Sequence, residues 1–370
     1  MKFKNRNVML EEIRSEPYFF EICLDQKEKI TRDFVGLFMS HSIKRIYFSG
    51  SGSPFNAGIV LKYAAEKLLN IEATCSYPML FNNHEGLNVG RKYGPEEMVV
   101  ICPAESGRSK GAVITSRMAR AQGIPVVCTT LNPQGVLARE CQVVIVKPSG
   151  KEEALPSTKG HSTGIFMLLL CLVETAKSLG TIDEKTYGEY IDGFEKIIHS
   201  CQDAVEKTQL WFENHRKIVM NAPFYRVIGY GANYGTAKET ALKFIEVHRR
   251  ITMAYELEEF MHGPIRTVMP GDCIFFLCTE NGPEKERMRE LYRVVKKMTD
   301  YCILICGEGE AENQEMDLQF HAVNLEFLTA IEYLVPMQVL ACQIGYNLGF
   351  DPAEGMNTWA KLAMDTSFPD

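Results

Sequence analysis

RIYFSGSGSPFNAGIVLKY, residues 45–63, and RVIGYGANYGTAKETALKF, residues 226–244, run the same course over stretches of equal length. Each opens on an arginine and a short apolar run, breaks at glycines, and continues with apolar residues at helical spacing. That order reads as strand, tight turn and helix. Gly50 stands where Gly231 stands, and Leu61-Lys62-Tyr63 where Leu242-Lys243-Phe244 stand. The next apolar runs also correspond: MVVICPAESG, residues 98–107, matches CIFFLCTENG, residues 273–282, and each precedes a charged amphipathic helix. Further strands are expected at Pro125–Thr129, Val143–Val146, Cys302–Cys306 and His321–Val323.

Short β-rich runs alternating with longer helical patterns predict an α/β chain. Its fold is two tandem units, each a parallel sheet flanked by helices in the doubly wound, flavodoxin-like manner. The units are expected over 36–200 and 201–346, after a helical lead over 1–35 and before a tail over 347–370. In such sheets ligands bind outside the carboxyl ends of the strands, where both glycine turns lie.

Composition narrows the function. A formal charge of −7 argues against broad nucleic-acid binding but leaves room for a small anion site. The start of the chain has charges among its apolar residues and no cleavable apolar segment. Gly164–Val173, the longest apolar stretch, is short for a membrane span and reads as a buried helix. The twelve cysteines are scattered, with no CxxC, so a reduced cytoplasmic chain is expected rather than a disulfide framework. The histidines show no HxxxH spacing, so no metal is expected.

Three polar segments are candidate anion sites. Ser49-Gly50-Ser51-Gly52-Ser53 joins small residues and hydroxyls at a strand-to-helix turn. Ala104-Glu105-Ser106-Gly107-Arg108-Ser109-Lys110 does the same at the next strand end and adds two cations. Backbone N–H groups and serine hydroxyls at helix starts bind phosphate. Read locally, glycines and serines also make turns and cap helices. Neither segment is a P-loop, and Gly50, Gly52 and Phe55 leave a dinucleotide fingerprint incomplete. The third segment, residues 150–163, carries Glu152 and Ser157 ahead of the apolar helix.

On the helix after the second turn, Glu239, Lys243 and Glu246 share one face, with Ala241, Phe244 and Ile245 opposite. The plain reading is a solvated face with an i,i+4 ion pair. The alternative is a reactive face, because His262 follows on a Gly263-Pro264 turn.

Here the chain resembles the sugar isomerase (SIS) domain family, including the isomerase half of glucosamine-6-phosphate synthase. Ala241-Leu-Lys-Phe-Ile-Glu-Val247 is similar to that family's catalytic helix, with Glu246 at the position of its base. Glu259-Phe-Met-His-Gly-Pro264 resembles the histidine turn, with His262 at the residue that opens the sugar ring. Met9–Pro17 resembles the helical entry, Ser157-Thr-Lys159 with Glu152 a sugar-contacting segment, and Asn357–Lys361 the tail whose lysine reaches the substrate. The departures are three. No segment matches the synthase's glutaminase half with its terminal cysteine, so ammonia from glutamine is not expected. Ala104 replaces the first serine of the phosphate loop, and an extra residue shifts the match around Lys361.

The resemblance implies a cytoplasmic enzyme without cofactor or metal. Its expected substrate is a sugar phosphate, bound through Ser51, Ser53, Ser106, Arg108, Ser109, Glu152 and Ser157. Catalysis would fall to Glu246, His262 and Lys361. Among relatives of this length it looks most like deglycases that split phosphorylated Amadori compounds, such as fructoselysine 6-phosphate, into glucose 6-phosphate and an amino acid. An aminosugar-phosphate isomerase or deaminase, and a non-catalytic sugar-phosphate regulator, are the alternatives. The family also implies a homodimer in which the histidine turn of one subunit enters the other's site.

Overall fold

The computed structural model describes residues 6–369 and, at 361 and 362, the backbone alone. Three helices lead: α1 (Val8–Arg14), α2 (Glu16–Asp25) and α3 (Lys27–Ser40). The Asn7 side chain caps α1, accepting from Leu10 N at 3.2 Å and so meeting one of the unpaired donors of a helix start.

The first sheet comprises β1 (Arg45–Ser49), β2 (Glu72–Ser76), β3 (Met98–Cys102), β4 (Val126–Thr130) and β5 (Val143–Val146). All its pairings are parallel, in the order β2-β1-β3-β4-β5. Helices α4 (Ser53–Leu69), α5 (Lys110–Ala121) and α6 (Lys159–Leu179) connect and cover it. β3 and β4 are buried along their whole length, which explains why their Val, Ile and Cys residues run together in place of alternation. Each such aliphatic side chain contributes about 1.5–3 kcal/mol by leaving water. The expected buried helix is longer than its apolar stretch of 164–173. α6 is long and apolar enough to cross a membrane, but most of it is buried inside the protein, as a core helix is.

After α7 (Glu184–Asn221) the second sheet repeats the plan with β6 (Tyr225–Gly229), β7 (Thr252–Glu256), β8 (Cys273–Leu277), β9 (Cys302–Gly307) and β10 (Leu318–Phe320). Its order, β10-β9-β8-β6-β7, is again the 2-1-3-4-5 arrangement of a flavodoxin-like sheet, with the third strand of the unit central. Helices α8 (Asn233–His248), α9 (Leu257–Met261), α10 (Pro283–Val295) and α11 (Leu334–Asn347) belong to this half, and α12 (Thr358–Ala363) lies in the tail. Gly229 closes β6 because a side chain there would strike the backbone of Asn233 in the first turn of α8.

The two compact units interleave along the chain. The unit of the first sheet takes residues 19–152, 159–191 and 355–370, and the unit of the second takes 1–18, 153–158 and 192–354. The lead expected over 1–35 is thus divided between the units, and the tail expected from 347 divides after 354. In the second unit the buried Glu12 carboxylate of α1 accepts from Glu153 N at 2.6 Å and Ala154 N at 3.3 Å, which ties that short segment down. All twelve cysteines are free thiols, ten of them buried.

Candidate functional site

In the first unit the strand order reverses between β1 and β3, whose carboxyl ends carry the two serine turns. β1 ends at Ser49, Gly52 takes a positive φ of 66°, and Ser53 opens α4. Ser51 and Gly52 are exposed and Ser53 is half-buried. Beyond β3, Gly107 adopts a φ of 67°, with Ser106 and Ser109 exposed and Arg108 half-buried. Hydrogen bonds to β4 and its following loop hold this turn: Ala104 N donates to Thr129 Oγ1 at 3.1 Å, and Leu137 N to Gly107 O at 3.1 Å. The strand pairing therefore brings Ser51 and Ser53 to the same sheet edge as Ser106 and Ser109. Hydroxyls and helix-start N–H groups gathered there suit a phosphate.

The tail runs along this second turn. Lys110 N donates to Thr366 O at 3.1 Å, and Phe368 N donates to Arg108 O at 2.9 Å. Lys110 forms an ion pair with Asp365, and the Phe368 ring lies 5.2 Å from the Arg117 guanidinium. Lys361 belongs to α12, but its side chain lies outside the described residues.

Glu105 is the least expected group here. Burial raises its carboxyl above the usual range, against the pull of the Lys147 ammonium with which it forms an ion pair; Glu152 adds like charge and Lys159 opposes it. Lys147 is itself buried and donates also to Gly160 O at 3.0 Å, at the start of α6. Glu152 is half-buried in this unit, whereas Ser157, also half-buried, belongs to the other.

In the second unit, α8 overturns the plain reading of its charged stripe. Glu239 and Lys243 are 0% and 1% exposed at their side chains, and only Glu246, at 37%, reaches solvent. Ile245, expected on the apolar side, is instead exposed. The Lys243 ammonium lies 3.3 Å from Glu239 Oε1 and 2.6 Å from Glu246 Oε2. Burial alone would lower its pKa, but the two carboxylates outweigh that and raise it. Lys243 is thus a fixed cation that holds Glu246 in place. A period-based reading could not find this, because a buried ion pair and a surface one have the same i,i+4 spacing.

His262 caps the end of α9, exposed, after Glu256 has capped its start by accepting from Glu258 N and Glu259 N. No hydrogen bond or ion pair joins it to Glu246 among the described residues. Topology explains why. α8 starts at the carboxyl end of β6 and runs back toward the start of β7, so Glu246 lies roughly 20 Å along the axis from Asn233, at about 1.5 Å per residue. His262 follows the carboxyl end of β7, at the opposite end of the strands. Grooves of about 420 and 360 Å³ lie near the amino end of the first sheet, lined by Lys44, Glu72 and Lys92 among others, away from the serine turns. Those charges pair among themselves or with near neighbours, and the grooves carry none of the candidate residues.

With this geometry in view, residues 225–343 match the model of the SIS domain. That segment, which holds the second sheet, is similar to a SIS domain. The chain is 22% identical over 367 residues to the isomerizing glutamine–fructose-6-phosphate aminotransferase of Clostridium perfringens, covering 96% of this chain and 59% of the relative. The chain therefore spans less than two thirds of that relative's length. Its fold is similar to the C-terminal domain of glucosamine-fructose-6-phosphate aminotransferase from Francisella tularensis, with a TM-score of 0.84, 19% identity, and 94% and 98% of the two chains covered. It is also similar to a glucosamine-6-phosphate deaminase from Thermotoga maritima, with a TM-score of 0.71, 18% identity, and 94% and 97% covered. These likenesses in fold extend over both sheets.

Proposed function

We propose that the protein is a sugar-phosphate enzyme that moves a proton between C1 and C2 of an aminosugar 6-phosphate, and that its substrate is a phosphorylated Amadori compound. The observation that carries this reading is the Glu239–Lys243–Glu246 set: a buried ammonium holding one reachable carboxylate. The similarity to proteins named for fructose 6-phosphate amination and glucosamine 6-phosphate deamination supports the substrate class.

In this reading the serine turns, with Ser51, Ser53, Ser106 and Ser109, hold the phosphate, and Arg108, Glu152 and Ser157 contribute to sugar binding. His262 passes a proton to the ring oxygen as the sugar opens. Glu246 takes a proton from C1 of the open ketosamine, giving an enaminol, and returns it to C2, giving the aldose imine. Water adds to that imine, and the C–N bond breaks to release the amine and glucose 6-phosphate. Lys361 positions an oxygen or the amine of the substrate. Glu246 lies toward the amino end of the strands and His262 beyond the carboxyl end of β7, so His262 would come from a second copy of the chain in a cytoplasmic homodimer.

The deaminase-like fold favours a second reading, in which the same residues convert glucosamine 6-phosphate to fructose 6-phosphate and ammonia. Incubation with fructosyl-amino-acid 6-phosphates and with glucosamine 6-phosphate separates the two. Free amino acid with glucose 6-phosphate supports the deglycase, and ammonia with fructose 6-phosphate the deaminase. Turnover of neither class would sink the enzymatic proposal. Refolding Glu246→Gln together with His262→Ala should return about a quarter of wild-type activity if sites are shared in a symmetric two-site dimer.

A further inference from the structure

The two units repeat a strand–turn–helix plan, yet the carboxylate that follows the third strand of each is tied differently. Glu105 and Glu280 occupy equivalent positions after β3 and β8, as Gly52 and Asn233 do after β1 and β6. In the second unit the buried Asn233 amide stands 3.1 Å from Glu280 Oε2, 3.2 Å from Thr279 Oγ1 and 2.9 Å from Thr329 Oγ1. Thr329 Oγ1 donates to the same Glu280 oxygen at 2.9 Å. The other carboxylate oxygen lies 4.0 Å from where a side chain on Gly231 would begin, so Glu280 covers the glycine turn that opens α8. Ala232 offers no hydroxyl where the first unit has Ser51. The donors that would meet an anion there already meet the chain's own.

The first unit differs on each count. Gly52 leaves the turn without a side chain, and Ser51 and Ser106 are exposed. The Glu105 carboxylate is drawn onto Lys147 and packs against Gly160 so closely that any side chain there would strike it. The residue after β10 that corresponds to Lys147 is His321, which is exposed and lies 3.8 Å from Glu308. No ion pair reaches Glu280 among the described residues.

We propose that Lys147 is a positioning residue that keeps the first anion turn open by holding Glu105 aside, while Glu280 closes the second turn as a built-in anion. The chain therefore binds one phosphate, in the first unit. This rests on the phosphate reading above but not on any turnover.

Titration calorimetry with inorganic phosphate and with glucose 6-phosphate tests it. Wild type should bind one equivalent per chain. Lys147→Met frees a carboxylate beside the phosphate, and like-charge juxtaposition of that kind should weaken binding roughly tenfold or more. Lys147→Met with Glu105→Gln, which removes that charge, should return affinity to within about threefold of wild type. Asn233→Gly with Glu280→Ser should add a second equivalent, and this arm stands even where Lys147→Met does not fold. Two equivalents or none in wild type would overturn the proposal. So would unchanged affinity in folded Lys147→Met, a double variant no tighter than the single, or no second equivalent in the opened turn. One phosphate that responds to these variants, in a protein that turns over no aminosugar phosphate, would sink the enzyme reading and leave this one standing.

Discussion

Replacing Lys243 by Met removes the ammonium that Glu239 and Glu246 share. Lys243 and Glu239 are 1% and 0% exposed at their side chains, and their charged atoms stand 3.3 Å apart. At an effective dielectric constant of about 20, unit charges at that distance attract by about 5 kcal/mol. Glu239 would lose this attraction and keep its burial cost. Removing one member of a buried pair costs about 3–5 kcal/mol, a large part of the roughly 5–15 kcal/mol that holds a protein folded. The urea midpoint of Lys243→Met should therefore fall by roughly 1–3 M at ordinary slopes. Lys243→Met with Glu239→Leu leaves no lone buried charge and should regain most of that loss. Its turnover should stay low, because Glu246 still lacks the group 2.6 Å away that orients it. Circular dichroism in urea and an amine-release assay, run on the same preparations, separate the two effects. The reasoning fails if the single variant keeps the wild-type midpoint, or if the stabilised double variant turns over normally.

Three further outcomes are expected. Ser106→Ala with Ser109→Ala should raise KM for phosphorylated substrates more than it lowers kcat, because groups that hold the phosphate bind ground and transition states alike; equal thermal protection of wild type and variant by glucose 6-phosphate would leave these serines as helix caps only. Burial, with help from Arg250, pushes the His248 imidazole down from 6.5 to about 3, so its contribution to stability is complete above about pH 6.5 and is lost as pH falls toward 3. Between pH 7 and 5 wild type should lose about 2 kcal/mol from this group, and His248→Phe, packed among Tyr225 and Phe244, should give a flatter profile by that amount in urea titrations; parallel profiles would reject the cause. Gly229→Ala should lower the melting temperature through a clash with Asn233 backbone that no rotamer relieves, at about 1–3 kcal/mol, and an unchanged melting point would contradict the close strand–helix approach.

The repeat at 45–63 and 226–244 was legible because it joins signals that agree: an apolar run, a glycine turn and helical spacing. Central strands such as β3 and β8 were equally plain, being apolar without interruption. The edge strands β2, EATCS, and β7, TMAYE, went unread because edge positions are only partly buried and carry no run of apolar residues. The last strand was expected over 321–323 and lies at 318–320, since Leu318-Gln-Phe320 is the short segment that alternates inward and outward. At the candidate site, residue types announced the serine turns and the charged stripe of α8. They did not show that Lys243 is interior, or that Glu105 and Glu280 face different partners. Those facts depend on which helix face meets the sheet and on contacts between residues far apart in the chain.

The central claim, that Glu246 moves a carbon-bound proton of a sugar phosphate, is tested most directly by exchange in deuterated water. Fructosyl-lysine 6-phosphate and glucosamine 6-phosphate would each be incubated with wild type and with Glu246→Gln, and deuterium at C1 and C2 followed by proton NMR. Wild type should exchange a carbon-bound proton on at least one of them, and folded Glu246→Gln should do so roughly 100- to 10,000-fold more slowly, the usual worth of a positioned acid–base group. Exchange at the wild-type rate in the variant, or none by wild type on either compound, would contradict it.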